Sequence, residues 1–513
     1  MIKKSKLVET QNGALTNAST GSEVLNLFSL AGAMRNRDEK EILAMVEAAW
    51  NDSPDLALRT IFFLADIREG QGERRFFKIA LAYLIKVAPE IAAKVIELIP
   101  EYSRWDLVYE FEGTSLEDEM FSVVKKNFFE DKAHLDADED VSLLGKWLKS
   151  INTDSDESRR LGRKTVEALG ISLPQYRKTL SALRAKIDVV EKKMCAKEWD
   201  KIDLNHVPGN AFKKYSQAWS KHVPEKLEKY LEKVESGELK MKSSVLYPYH
   251  ILQSSRRAND DSQRKAAELQ WRDMPNYMEG SDRFVIPVID TSGSMTSSVG
   301  SCDVSALEVA VSLGMYVTER LTGPFKNHYI SFSDTPILDS FRGATLAEKY
   351  DNMKNIVANT NIEAVFDIIL RTAIANQVPV EEMPSQLLIF SDMEFDSCVS
   401  TNASSGRSRW GSTAGGNEVK TLFQQMKTNF ANAGYELPDV VFWDLNSRST
   451  QFPVSQHESG AGLVSGFSPA TLKSILSGKG LTPMENMLAV LDNPRYAALS
   501  ELFNEDDEEN DQE

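Results

Sequence analysis

The chain has 513 residues, 42% of them hydrophobic and 26% charged, which is enough for two or three globular domains. It has no apolar run of membrane-spanning length, and its basic start, Met1-Ile2-Lys3-Lys4-Ser5-Lys6, leads into polar residues and not into a signal-peptide core. The formal net charge of −17 argues against nonspecific nucleic-acid binding by the whole surface and leaves room only for a local basic track.

Residues 1–24 are expected to be a flexible N-terminus, and residues 25–280 an all-α domain. Glu39 to Trp50 places apolar residues at three- and four-residue intervals, as an amphipathic helix requires. The pattern repeats over Asp55 to Ile67, Phe76 to Val87 and Ile91 to Ile99, with breaks at Asn51-Asp52-Ser53-Pro54 and Ala88-Pro89-Glu90. Strand-like alternation is scarce before Phe284, so helix pairs stacked into a HEAT-like, solenoid-type array are expected, without a strict sequence period.

Between two of these helices lies Asp66-Ile67-Arg68-Glu69-Gly70-Gln71-Gly72-Glu73-Arg74-Arg75. Its glycines allow a tight turn, and Arg68, Arg74 and Arg75 could hold a phosphate. The alternative is a helix–helix turn whose charges pair with each other. Trp105 and Trp147 each stand near a basic residue and read more readily as packing anchors than as base-stacking platforms. From Tyr176 to Arg272 the chain is rich in Lys and Arg, including Arg177, Lys178, Arg184 and Lys192. These are either a ligand track or an ordinary solvated helix face.

After Phe284 strands and helices alternate. Strands are expected at Phe284–Asp290, His328–Phe332, Pro336–Phe341, Gln386–Phe390, Asp439–Asp444 and Gly462–Phe467, with helices at Val304–Leu321, Thr345–Val357, Ile362–Ala375 and Asn417–Ala433. This is the pattern of an α/β doubly wound, Rossmann-like sheet over residues 281–502. A Ser- and Gly-rich insertion, Glu394 to Gly416, should hang over the sheet rim, and the acidic residues 503–513 should form a disordered tail. Cys195, Cys302 and Cys398 are odd in number and lack metal-type spacing, which suits a reducing, cytoplasmic setting; six scattered histidines argue against a zinc hydrolase.

The sharpest motif is Phe284-Val285-Ile286-Pro287-Val288-Ile289-Asp290-Thr291-Ser292-Gly293-Ser294-Met295. A buried parallel strand ends in Asp290, and the next turn offers Ser292 and Ser294. One carboxylate and two hydroxyls make an all-oxygen corner suited to Mg²⁺ or Mn²⁺. Strand, Asp-x-Ser-x-Ser and following helix resemble the metal-ion-dependent adhesion site (MIDAS) of von Willebrand factor A domains. That resemblance implies two more ligands: Thr360, at the head of a helical stretch, and Asp392, which ends the strand Gln386-Leu387-Leu388-Ile389-Phe390-Ser391. The departure is Met393, where many members carry glycine.

A helical array followed by an A-type domain resembles the Ro-like, TROVE-type proteins, most closely a branch found in phages and some eukaryotes. The resemblance rests on Arg68 to Arg74, Trp147-Leu148, Tyr176-Arg177-Lys178, Asp290 to Met295, Val441 to Asn446 and Leu463 to Ser468, and it spans about Leu25 to Leu502. It implies non-catalytic binding of small structured or single-stranded RNA, with Arg68, Arg74, Arg75, Arg177, Lys178 and Arg184 as candidate contacts. A second reading is a protein-interaction scaffold whose metal captures a partner carboxylate. A third, a metal-dependent nuclease, is disfavoured because two-metal hydrolysis wants several shared carboxylates and the motif supplies two.

Overall fold

The computed structural model describes residues 6–10, 15–300, 303–323, 325–332, 336–353, 361–395, 422–477 and 480–510. Among these no helix is long and apolar enough to cross a membrane. The N-terminal part is helical, and a mixed, mostly parallel sheet follows it.

The helical part opens with α1 (Glu23–Ala31), α2 (Glu39–Asp52), α3 (Pro54–Ala65) and α4 (Arg74–Val87). Local chemistry sets their starts. Asp38 caps α2 in a reciprocal capping box with Glu41, Pro54 occupies the first turn of α3, and Glu73 caps α4. Helices Glu117–Asp136, Asp156–Leu169 and Leu173–Lys186 continue the same hydrophobic core as far as Leu183. A smaller, separate core runs from Val190 to Leu269, and the helices Pro248–Arg256 and Asp261–Arg272 end the array.

The described residues form eight strands: β1 (Leu7–Glu9), β2 (Leu15–Asn17), β3 (Val285–Asp290), β4 (His328–Phe332), β5 (Ile337–Ser340), β6 (Gln386–Ser391), β7 (Asp439–Asp444) and β8 (Ala461–Ser465). The six-stranded sheet has the order β5-β4-β3-β6-β7-β8, with β5 antiparallel to β4 and all other pairs parallel. The winding therefore reverses between β3 and β6. In open α/β sheets that reversal, at the carboxyl ends of the strands, is where ligands bind.

Alternate residues of β3 serve two cores. Ile286 and Val288 join the core that contains α1 to α4. Val285 and Ile289 join the core that contains Leu246, Tyr249, Leu252 and Trp271 from the last helices of the array. Both ends of the array thus close onto the same α/β domain.

The first end docks on β8 and the loop after it. The Gly32 N–H donates to Ser465 Oγ at 3.0 Å, and a Cβ at Gly32 would stand 2.7 Å from the Ser465 carbonyl oxygen. Gln71 is fully buried, and its Oε1 accepts from the Phe467 and Ser468 amides at 3.1 and 3.2 Å. Gly466 adopts φ +97, and a side chain there would strike Gln71. Asp66 receives Arg495 Nε at 2.5 Å and Nη2 at 3.0 Å, and Tyr496 Oη at 3.1 Å. The last end docks through Arg256 to Glu308, Trp271 Nε1 to Glu319 at 2.7 Å, and Tyr316 Oη to the Pro275 carbonyl at 2.5 Å. The two ends also meet each other: Arg35 pairs with Glu73 and lies over Phe467, whose ring packs edge-on against Tyr249.

Three expectations are corrected here. The segment before residue 24 is not loose where it is described. β1 and β2 pair antiparallel, Thr10 Oγ1 bonds the Phe395 carbonyl at 2.6 Å, and Asn17 pairs with Phe452. Those partners lie some 385 or more residues away, so no local pattern announced them. The acidic run from Glu505 continues the helix Ala497–Asn510 instead of forming a tail, because that helix is anchored where Tyr496 and Leu499 enter the first core. The helix expected over Thr345–Val357 is formed over Leu346–Asp351 and stops before Asn352, and residues 354–357 lie outside the described residues.

The clasp at Asp66 and Gln71 should carry much of the stability. Asp66→Ala removes the buried carboxylate that receives Arg495 Nε and Nη2 and leaves that guanidinium only the exposed Glu101, and a loss of about 1.5–3 kcal/mol is expected. Gln71→Ala leaves two buried amides without an acceptor and should cost about 1–3 kcal/mol. Urea unfolding checks both, and midpoints within error of the unmodified chain would mean that the clasp is not what holds the array to the sheet.

The same closure should loosen in acid. His250 stacks on the Tyr247 ring, packs at a tilt against the Tyr249 ring and accepts from the Tyr247 amide at Nδ1, although part of the residue remains accessible. Burial, then the charges of Lys213 and Arg35, lower its pKa from 6.5 to about 3. As pH falls below 6.5 the unfolded chain takes up the proton first, so stability is lost between about 6.5 and 3 and is present in full above 6.5. Thermal midpoints measured across this window should fall with pH, and His250→Gln should flatten that part of the profile.

Candidate metal centre and basic cleft

β3 is apolar and buried along its whole length, so it delivers Asp290 fully buried at the carboxyl end of the sheet. The carboxylate then folds the turn that follows it. Asp290 Oδ1 accepts from the Ser292 amide at 2.9 Å, which brings Ser292 Oγ and Ser294 Oγ within 2.9 Å of each other. Asp290 Oδ2 accepts from Ser391 Oγ, at the end of β6, at 2.6 Å.

Asp392 follows Ser391 directly, on the other side of the winding reversal. Its side chain is fully buried, and neither carboxylate oxygen has a hydrogen-bond partner. The Ser294 hydroxyl and the Glu394 amide are near enough to favour its charged form but are not in bonding geometry. Among the described residues its cationic contact is Arg448, with Nε 3.7 Å from Oδ2. Met393 takes φ +63, the left-handed conformation that glycine adopts without strain, and its amide donates to Ser391 Oγ at 3.0 Å.

β7 repeats the device. Asp444 is buried at its end, and Oδ1 accepts from the Asn446 amide at 2.9 Å. Glu394, also buried, accepts from Ser449 Oγ at 2.8 Å. Burial raises all three strand-end carboxylates. Asp290 is pushed up to about 7, chiefly by burial and then by the charge of Asp392. Asp392 is raised by burial, and Asp444 is raised well above the usual range by burial and then by Asp392 and Glu394.

The donor set suits a hard cation. Buried carboxylates that repel one another, an unpaired pair of oxygens on Asp392, and two adjacent hydroxyls are what an oxygen-ligated divalent ion would satisfy. Among the described residues no three Asp, Glu, His or Cys side chains converge into a metal cage by themselves, so a cation here would depend on the serine hydroxyls. The structure brings Asp290, Ser292, Ser294 and Asp392 to one rim. Thr360 lies outside the described residues, as does the insertion beyond Phe395. Ser391, Glu394, Asp444 and Arg448 were missed by motif reasoning. Asp444 carried a readable signal, a carboxylate closing an apolar strand just as Asp290 does.

Of the six candidate RNA contacts, three line one cleft and three do not. Arg68 is tied to the Glu101 carbonyl oxygen, and Arg75 donates to the Arg37 carbonyl oxygen at 2.9 Å. Arg74 is exposed. Arg177, Lys178 and Arg184 instead line a cleft of about 850 Å³ together with Lys146 and Lys192, opposite a single acid, Glu191. This cleft lies between the core that ends at Leu183 and the one that begins at Val190. Arg184 is spent on structure: it donates to the Gly145 and Leu148 carbonyl oxygens and to Ser150 Oγ at 2.8–2.9 Å, and burial lowers its pKa. Arg177 and Lys178 are exposed and make no hydrogen bond or ion pair with the described residues. Trp147 is covered by the Arg104 guanidinium at 4.0 Å, so it serves as a packing anchor. Cys195, at the cleft, is exposed and unpaired.

A helical array closed onto an α/β sheet, with carboxylates at the sheet's reversal point, is the class that fold and site define. Residues 285–512 match a family described as a domain of unknown function, DUF7788, and residues 10–103 and 148–283 match another, DUF2828. The two matches divide where the helices end and the sheet begins. The whole chain is similar to a protein of Acanthamoeba polyphaga mimivirus named "Uncharacterized protein L728", with 26% identity over 523 residues covering 94% of this chain and 87% of the viral one.

Proposed function

We propose that this is a binding protein and not a catalyst: a divalent-cation A-type domain of the MIDAS kind, clasped by a Ro-like helical array, with RNA as ligand of the array. The observation that carries the reading is Asp392, a buried carboxylate whose oxygens make no hydrogen bond, beside Asp290 and two serine hydroxyls. Leaving buried carboxylate oxygens without hydrogen bonds is costly, and buried carboxylates with raised pKa values gather at functional sites. Asp290, Ser292, Ser294 and Asp392 would hold Mg²⁺ or Mn²⁺, with Thr360 as the further ligand the A-domain likeness implies. When bound, the ion supplies an electrophilic anchor for an oxygen of the ligand. The chain's own residues orient it: Ser391 and the Ser292 amide fix the Asp290 carboxylate, and Met393 bonds Ser391.

On the full chain, calorimetric titration should find Mn²⁺ binding that Asp290→Ala abolishes and Ser294→Ala weakens, with circular dichroism unchanged. Equal affinity in folded Asp290→Ala would remove the metal reading.

For RNA, the support is the cleft, where five cations face one acid in a chain of net charge −17. Arg177 and Lys178 stand free to meet phosphate. Changing Arg177, Lys178 and Lys192 together to Glu should lower affinity for single-stranded RNA about tenfold or more, and binding by the unmodified chain should weaken steeply with salt. Filter binding across ionic strengths tests this. Absence of binding by the unmodified chain at low salt would end the RNA reading and leave the scaffold reading, in which the cation receives a partner carboxylate.

A further inference from the structure

We infer that Arg448 is a built-in competitor for the cation at Asp392, held in position by the helical array. The inference rests on the metal reading above and goes beyond it by naming the group that sets the site's affinity.

The geometry of residues 446–449 separates a fixed backbone from a movable side chain. Ser447 N–H donates to the Ala33 carbonyl oxygen at 3.1 Å, and the Arg37 guanidinium donates to the Arg448 carbonyl oxygen. Asn36 Nδ2 donates to Asn446 Oδ1 and to the Ser298 carbonyl oxygen, both at 3.2 Å, while its Oδ1 accepts from the Gly300 amide at 2.7 Å. On the far side Ser449 Oγ bonds Glu394 at 2.8 Å. Three residues of the array, Ala33, Asn36 and Arg37, therefore pin both the loop after the Asp-x-Ser-x-Ser turn and the loop after β7. The Arg448 side chain itself is 37% exposed, with solvent to swing into.

At 3.7 Å from Asp392 Oδ2 the Arg448 Nε makes an ion pair without a hydrogen bond. It offsets part of the buried negative charge but leaves both oxygens available. A divalent ion on Asp392 would stand beside the guanidinium and repel it. Arginine cannot relieve that repulsion by losing a proton, so the side chain must move. Cation loading and Arg448 release are thus one event, and the array residues that anchor the loop bias it.

The test uses the full chain and Mn²⁺ alone, at fixed pH and ionic strength. Arg448→Ala should bind Mn²⁺ about tenfold more tightly in calorimetry, since one nearby positive charge is gone. Its thermal midpoint without metal should fall, and Mn²⁺ should raise that midpoint by more than it does in the unmodified chain. Arg448→Gln should follow Ala, and Arg448→Lys should stay near the unmodified affinity. If the unmodified chain binds Mn²⁺ and Arg448→Ala binds it equally or more weakly, the competitor role is overturned and the metal site stands. If neither binds, both fall together.

Discussion

Every buried strand of the central sheet must have both faces covered, and here each face's core runs on into a different end of the helical array. Ile286 and Val288 look one way, toward the core of α1 to α4, while Val285 and Ile289 look the other way, toward Tyr249 and Trp271. The two-residue period of a strand enforces this split. It also explains the polar clasp. Where two sections of chain so distant in sequence share cores, their loops meet in dry surroundings, and the buried amides of Phe467 and Ser468 need the acceptor that Gln71 brings. The Arg68–Arg74 turn and the Leu463–Ser468 segment, far apart in sequence, are two halves of one joint.

That joint decides what surrounds the sheet's carboxyl rim. In an isolated α/β domain, loops after the strands would be free to open. Here Asn36 ties the loops that follow β3 and β7 to each other, and Ala33 and Arg37 hold residues 447 and 448. Asp290, Asp392 and Asp444 consequently sit in a rim that is braced from outside the domain. Such bracing is what lets a protein tolerate mutually repelling buried carboxylates: the repulsion cannot be relaxed by moving the loops apart.

Much of this was legible in the residues, and the part that was not has a common cause. Element types and bounds after Phe284 follow from alternation and strand-ending aspartates; β4 and β7 fall on the expected residues, and the others within one to a few positions. Asp290, Ser292, Ser294 and Asp392 stand at one rim, and Met393, the departure noted in the motif, takes the left-handed conformation that glycine adopts without strain. What escaped was long-range. The β1–β2 hairpin exists because Thr10, Thr16 and Asn17 find Phe395 and Phe452. The glycine turn reads locally as a phosphate loop or a salt-bridged turn, yet Asp66 and Gln71 are turned inward to a partner some 400 residues away. The basic residues were visible as a rich stretch, but only the meeting of two helical cores selects Lys146 and Lys192 to join Arg177 and Lys178.

The two candidate sites are electrostatic opposites, and the chain's net charge acts on them differently. At the rim, buried carboxylates on an acidic chain would favour the approach of a small cation. At the cleft, five cations oppose the field of a protein with charge −17. A phosphate approaching from a distance meets net repulsion and is attracted only within about a Debye length, some 10 Å at 0.1 M salt. Added salt weakens that repulsion as well as the local attraction. On the proposed reading the RNA would therefore be held at short range, by phosphates brought against the exposed Arg177 and Lys178.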